Sequence, residues 1–272
     1  MQKNMDSKMR DFASEYPRND DGLILFPRDD QYRKQLFPFL NLSEHPAKAN
    51  LYLVQAIVEY VSEAEETILD VMAGTGTIMT AALIGRRVIC IEIGQQYQDI
   101  IEQGIVALEV LAPGIGENIM LIPGDCNLIL PVPGVDHVIF SPPYSNIFKK
   151  KTLDKLSAEM IGTGLLTYSE DPNNVGNLNE FLYHQKMEGI YKKILDSLRP
   201  GGTLTIIIKN HIEKGIDTKL SERAERDCRR LGFKLVAWHR WLPPGSAYTS
   251  FMRARGDVVV DEENIITLRK PL

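Results

Sequence analysis

The chain has 272 residues, 44% of them hydrophobic and 25% charged, and a net charge of −5. That composition fits a folded globular protein with a sizeable core and argues against a disordered, collagen-like or membrane-spanning chain. Three cysteines with no Cys-x-x-Cys pair, and five histidines with no ligand spacing, argue against a disulfide framework and a metal site. The opening "MQKNMDSKMRDF" has no apolar signal region, and no apolar run approaches the ~18 residues of a membrane span. A cytoplasmic protein with no membrane partner is the expectation.

The charge is unevenly spread. Residues 1–140 hold 10 Lys+Arg against 20 Asp+Glu, whereas residues 141–272 hold 21 against 16. A polyanionic partner would be met by the second half.

In chain order, residues 1–44 are polar with short apolar pieces and read as an arm packing on a core. The main domain is expected over 45–272. "HPAKANLYLVQAIVEYV" (45–61) has apolar residues at helical intervals and predicts an amphipathic helix starting near Pro46. "TILDV" predicts a short buried strand, "AGTGT" a glycine turn, "TIMTAALIG" a helix closed by Gly85, and "RVICIEI" a second strand. The alternation continues through the helix "QQYQDIIEQGIVALEVL" and the strands "NIMLIPGD" and "DHVIF". A helix ended by "RPGG" follows, then the strand "TLTIII", a charged helix, and two strands, "FKLVAWHRWL" and "NIITLRK", able to pair antiparallel. Strands alternating with helices predict an α/β fold with a mostly parallel sheet covered on both faces. The long polar stretch 145–178 has no element of its own, and loops of that length are usually functional or disordered.

Ligands of such sheets sit beyond the carboxyl ends of the strands, where the winding reverses. "LDVMAGTGT" is the first strand-to-helix turn, with Asp70 at its strand end and Gly74 and Gly76 allowing angles and approaches a Cβ would block. Glu92 stands at the tip of the second strand, suited to accept from ribose hydroxyls, and Asp125 after the third strand suits an adenine ring. Met79 occupies the place of the third glycine of the dinucleotide fingerprint. An adenosine-containing ligand without a pyrophosphate therefore suits the pattern better than a nicotinamide dinucleotide, which would make the chain an oxidoreductase. A third motif is "VIFSPPY" (138–144), a strand ended by two residues without an N–H and followed by an aromatic ring.

Taken together, "LDVMAGTGT", "IEIG" and "VIFSPPY" resemble the S-adenosylmethionine-dependent amino-methyltransferases of DNA. "HPAKANLYLVQAIV" (45–58) looks like the additional cofactor segment of that family, and the motif order is similar to its gamma class. One departure is Asp70-Val71-Met72, where the family commonly has Asp-Pro-Phe. The resemblance implies a Rossmann-like methyltransferase fold: a mostly parallel seven-stranded sheet with an antiparallel edge hairpin and helices on both faces. It implies S-adenosyl-L-methionine as cofactor, held by Lys48, Asp70, Met72, Ala73, Gly74, Gly76, Thr77, Glu92, Ile93, Asp125 and Cys126. It makes Ser141, Pro142, Pro143 and Tyr144 catalytic. Acceptors on Ser141 and Pro142 would draw the lone pair of an exocyclic amine back onto nitrogen, while Tyr144 stacks a flipped base. Serine at the first position favours N4 of cytosine, with N6 of adenine open beside it, and RNA, a protein amide and a non-catalytic nucleic-acid-binding subunit behind them.

DNA, as a duplex with a flipped base or a single strand, is the expected partner, methylated alone or with a specificity or restriction subunit. Lys149, Lys150, Lys151, Lys209, Arg240, Arg253 and Arg255 are the candidate phosphate contacts. The loop 145–178 is the candidate substrate-binding insertion.

Overall fold

The structure is a computed structural model that describes residues 11–38, 40, 48–143, 171, 173–213, 215–245 and 253–272. Seven strands form the main sheet: β1 (Thr67–Asp70), β2 (Arg87–Glu92), β3 (Ile119–Pro123), β4 (Val135–Phe140), β5 (Leu198–Ile208), β6 (Lys234–Trp241) and β7 (Glu263–Arg269). Their order across the sheet is β3-β2-β1-β4-β5-β7-β6. Neighbours among β1–β5 pair in parallel, and β7 runs antiparallel to both β5 and β6. The mostly parallel sheet and the late antiparallel pair are as the sequence predicts, with β7 inserted one place in from the edge.

After β1 the chain winds outward to β2 and β3, then returns to place β4 on the other side of β1. The crevice between the tips of β1 and β4 is therefore the switch point at which such sheets take ligands. β4 is buried along its whole length, as a central parallel strand must be.

The described helices include α1 (Asp30–Leu36), α2 (Leu51–Val61), a 3-10 helix (Thr77–Ile84), α3 (Gln95–Leu111), α4 (Cys126–Ile129), α5 (Glu180–Ser197) and α6 (Leu220–Leu231). The strands alternate sides with period two. Ile139 and Ile207 join Ile57, Met79 and Ile101 on one face, whereas Phe140, Ile206 and Ile208 join Ile190, Ile194 and Ala224 on the other. The first face carries α2, α3 and the arm; the second carries α5 and α6.

Three local expectations are corrected. The helix expected near Pro46 begins at Leu51, because the Asn50 side chain accepts from the amides of Tyr52 at 2.9 Å and Leu53 at 3.1 Å. That cap satisfies donors the first turn leaves open. The helix after the glycine turn is wound as 3-10, ending at Gly85 in the left-handed region. Finally, "RPGG" does not separate α5 from its strand: β5 starts at Leu198 and absorbs these residues as an irregularity opposite Val135–His137. Gly202 is required there, since a Cβ would stand 2.5 Å from the Asp136 carbonyl oxygen.

The described residues ahead of α2 pack against the sheet. Phe12, Ile24, Phe26, Leu36 and Phe37 are all buried. Ile24 lies alongside edge strand β6, its N–H donating to Arg240 O at 3.0 Å and its carbonyl accepting from Leu242 N at 3.0 Å. Phe26 meets Trp241 edge-on with ring centroids 5.7 Å apart. The arm thus covers a strand edge that would otherwise offer open pairing groups.

Candidate active site

The site grows from the first turn. At the end of β1 the Asp70 Oδ1 accepts from Met72 N at 2.9 Å, turning the chain out of the sheet. Gly74 and Gly76 take φ of +54° and +72°, angles that side chains rarely adopt. A Cβ on Gly76 would stand 2.7 Å from Met79 Cε. Met79, in place of the fingerprint's third glycine, fills the space that a bare Gly104 leaves on α3, where a Cβ would be 2.6 Å away.

Glu92 ties three strand tips together. Its Oε2 accepts from Gly74 N at 2.7 Å and its Oε1 from Gly94 N at 2.7 Å, while its carbonyl accepts from Gly124 N at 2.8 Å. The carboxylate expected to meet a ribose also fixes the glycine turn. About four lone-pair sites on a carboxylate leave one per oxygen for a ligand. Burial pushes the Glu92 carboxyl up, opposed by the amides of Gly94, Gly74 and Ile93.

Asp70 has less help. Burial raises its carboxyl to about 7, the Met72 amide opposes this, and the neighbouring charge of Glu92 adds to it. A carboxyl raised in the fold favours the folded state when protonated, so its contribution is present at low pH and lost as pH rises through about 7. Asp70→Asn removes that titration. In urea unfolding, the variant should gain roughly 2–3 kcal/mol on the wild type between pH 5 and pH 8. A gap that does not change with pH would contradict the buried, proton-holding state of Asp70.

Asp125 caps α4, accepting from Asn127 N at 2.8 Å, and its other oxygen lies 3.7 Å from Lys186 Nζ on α5. Lys186 escaped the sequence reading, because nothing in a helix pattern says which distant turn it meets. Cys126 is buried, and burial pushes its thiol up to about 12. Burial likewise raises the thiols of Cys90 and Cys228, so none of the three is an activated nucleophile.

The Ser-Pro-Pro corner continues β4. Leu69 pairs with Val138 and Phe140 with Ile206, so Ser141 emerges beside the β1 tip that bears Asp70. Ser141 is exposed, Pro142 buried and Pro143 in between. Tyr144, Lys149, Lys150 and Lys151 lie outside the described residues, as does most of the loop 145–178.

Lys48 stands before α2, half-buried, with burial and then the Arg33 charge lowering its ammonium. Arg33, on α1, is a buried residue that the sequence gave no reason to single out. Its guanidinium donates to Asp29 Oδ2 at 2.6 Å, Ala49 O at 2.7 Å and Thr77 Oγ1 at 3.3 Å. The four described candidate phosphate contacts are engaged at the surface or beneath it. Arg253 pairs with Asp261, Arg255 with Asp257 at 2.6 Å and Arg240 with Glu262 at 3.8 Å. Lys209 is half-buried and donates to Asp261 O at 3.1 Å, and burial lowers its ammonium.

This donor set fits an adenosine that carries positive charge. Asp70, Glu92 and Asp125 place oxygen acceptors at three neighbouring tips, suited to hydroxyl and amine donors. No group of three or more His, Cys, Asp or Glu that could hold a metal ion occurs among the described residues, and no described helix is long and apolar enough to cross a membrane.

Residues 6–103 match the DNA methylase family. The matched stretch contains the arm, α2, the glycine turn and Glu92, and it supports the N4/N6 amino-methyltransferase resemblance drawn from the motifs. The Ser-Pro-Pro corner lies beyond it. No curated protein matches the sequence.

Solved structures agree on the fold. TrmN from Thermus thermophilus aligns over 88% of this chain and 52% of its own, at 17% identity and a TM-score of 0.53, so this chain spans about half of that protein. A methyltransferase from Pyrococcus furiosus aligns over 90% of this chain and 95% of its own, at 12% identity and a TM-score of 0.55. The [4+2]-cyclase SpnF aligns over 92% and 99%, at 16% identity and a TM-score of 0.54. The fold is that of the Rossmann-like methyltransferases. A cyclase on the same fold shows that chemistry has to be argued from the site.

Proposed function

We propose that the protein transfers a methyl group from S-adenosyl-L-methionine to the exocyclic amine of a flipped DNA base, N4 of cytosine. One observation carries this reading: Ser141 leaves the sheet beside the β1 tip whose turn Glu92 holds, so acceptors for an amine and acceptors for an adenosine border one switch point.

In this reading Glu92 accepts from the ribose hydroxyls, Asp125 faces the adenine, and Asp70 lies beneath the glycine turn. Met72, Ala73, Gly74, Gly76, Thr77, Ile93 and Cys126 wall the same pocket. When bound, the cofactor supplies an activated methyl on a sulfonium that leaves as a neutral thioether. The protein's part is to make the amine receptive. The Ser141 hydroxyl and the Pro142 carbonyl accept from its two N–H groups, favouring the pyramidal nitrogen of the transition state over the planar ground state, and the surplus proton is lost from nitrogen to solvent once the N–C bond has formed. Pro143 holds the Pro142 carbonyl extended and contributes no competing donor. Tyr144 stacks the base, worth about 1–3 kcal/mol. Lys149, Lys150, Lys151, Lys209, Arg240, Arg253 and Arg255 serve the phosphates, the three arginines by exchanging their surface carboxylates for phosphate.

The test is transfer of isotope-labelled methyl to DNA, RNA and a glutamine-containing peptide in competition, followed by digestion and mass analysis of the nucleosides. Label in DNA as N4-methylcytosine is expected. N6-methyladenine would move the target base, label chiefly in RNA or peptide would overturn the DNA reading, and no label anywhere would overturn methyl transfer.

A further inference from the structure

α4 has four residues, too few to hold a place on its own, and Asp125 is its N-cap. Contacts from two sides fix it. From the sheet, the Glu92 carbonyl accepts from Gly124 N at 2.8 Å. From the helix layer, α5 reaches it with two lysines seven residues apart, a spacing that sets them on one stripe. Lys193 Nζ donates to the Asn127 carbonyl and to Asn127 Oδ1 at 3.3 Å, and Lys186 Nζ lies 3.7 Å from Asp125 Oδ2.

The two oxygens of Asp125 are used differently. Oδ1 accepts from Asn127 N at 2.8 Å and caps α4. Oδ2 has Lys186 beside it at a separation too long for a hydrogen bond, so the ammonium answers its charge without taking up a lone pair. The Asp125 side chain is 9% exposed and that of Lys186 27%. A carboxylate that deep is costly unless a charge answers it, whereas pairs on an open surface are worth little. The Lys186 charge is felt one residue further along as well. Burial raises the Cys126 thiol, Asp125 adds to this, and Lys186 opposes it.

We infer that Lys186 is a positioning residue for the adenine end of the cofactor: it holds Asp125 Oδ2 as an acceptor for the exocyclic amine of the ring, and so sets the preference for adenine over a purine without that amine. This rests on the function proposed above, in which Asp125 faces the adenine, and deepens it. Lys186 acts through Asp125 and touches no ligand itself. With an apolar side chain at 186, Oδ2 would have no cation beside it and the carboxylate would turn toward water and away from the ring. An arginine keeps the charge and reaches as far, so it can replace the lysine here.

The test is calorimetric binding of two thioethers, S-adenosylhomocysteine and its analogue with unsubstituted purine in place of adenine. The wild type should prefer the first by about tenfold or more, the scale of one hydrogen bond to a charged group. Lys186→Met should cut that preference to about threefold or less by weakening S-adenosylhomocysteine, and leave the analogue within about twofold. Lys186→Arg should restore the preference. Equal losses for both ligands would mean that Lys186 only fastens α4 to α5, and an undiminished preference, or no rescue by arginine, would mean that Asp125 does not depend on its charge; each result overturns the inference. If Lys186→Met does not fold, Lys186→Gln decides by the same comparison. A wild type that binds neither thioether would bring down the cofactor reading and this inference with it. A wild type that binds both equally would remove Asp125 from the adenine and end this inference, leaving methyl transfer in place.

Discussion

Replacing Ser141 with alanine should lower kcat for methyl transfer by about 10²–10³, the scale on which a preorganised polar group aimed at a transition state acts. The loss should fall on kcat because the hydroxyl gains most when the amine becomes pyramidal. Ser141 is exposed, so thermal stability should stay within about 0.5 kcal/mol of the wild type. Affinity for S-adenosylhomocysteine should also hold, since the glycine turn is fixed by Glu92 and not by β4. The Pro142 carbonyl remains in the variant and accounts for residual turnover. Single-turnover kinetics beside calorimetry separate these effects. A kcat within threefold of the wild type would remove Ser141 from the chemistry.

Glu92→Ala should be the most damaging change to cofactor binding. It strips the acceptor from Gly74 N and from Gly94 N at once, releasing the glycine turn, and in the proposed function it removes the ribose contacts as well. Each buried amide left without a partner costs about 1–3 kcal/mol. Part of that is returned, because the carboxylate is itself penalised by burial. The cofactor then carries most of the loss: S-adenosylhomocysteine affinity should fall by about 100-fold or more, the equivalent of two charge-assisted hydrogen bonds. Glu92→Gln should rescue little, because its amide nitrogen would face one of the two N–H donors. Near-native affinity in Glu92→Ala would show that the ribose is held elsewhere.

The layered fold was readable because its strands are nearly continuous apolar runs and its turns carry glycine and proline. β4 is the clearest case: six buried residues, then Ser-Pro-Pro. The start of α2 was misread for a physical reason. Pro46 suits a first helical turn in the abstract, but the Asn50 side chain takes two amides and sets the boundary at Leu51. The 3-10 winding after the glycine turn has no signature separable from an apolar α-helix.

Within the site, the sequence named the carboxylates and the corner but not how they are used. Nothing local says that Glu92 grips Gly74, or that Lys186 turns toward Asp125. Arg33 was invisible for the same reason: its contact with Thr77 joins residues 44 positions apart, and a lone arginine in a polar arm reads as solvated. Charge was legible, pairing was not. Arg240 and Arg253 each sit on an acid that folding brings near, Glu262 and Asp261.

A structure of the protein with S-adenosylhomocysteine and a short DNA bearing a flipped cytosine would test the shared switch point most directly. The expected result has the sulfur and the cytosine N4 meeting between Gly74 and Ser141, with the gap sized for a methyl in transit and N4 within hydrogen-bond reach of Ser141 Oγ and the Pro142 carbonyl. A thioether lodged away from the tips of β1 and β2, or a base bound with its amine turned from Ser141, would contradict the account.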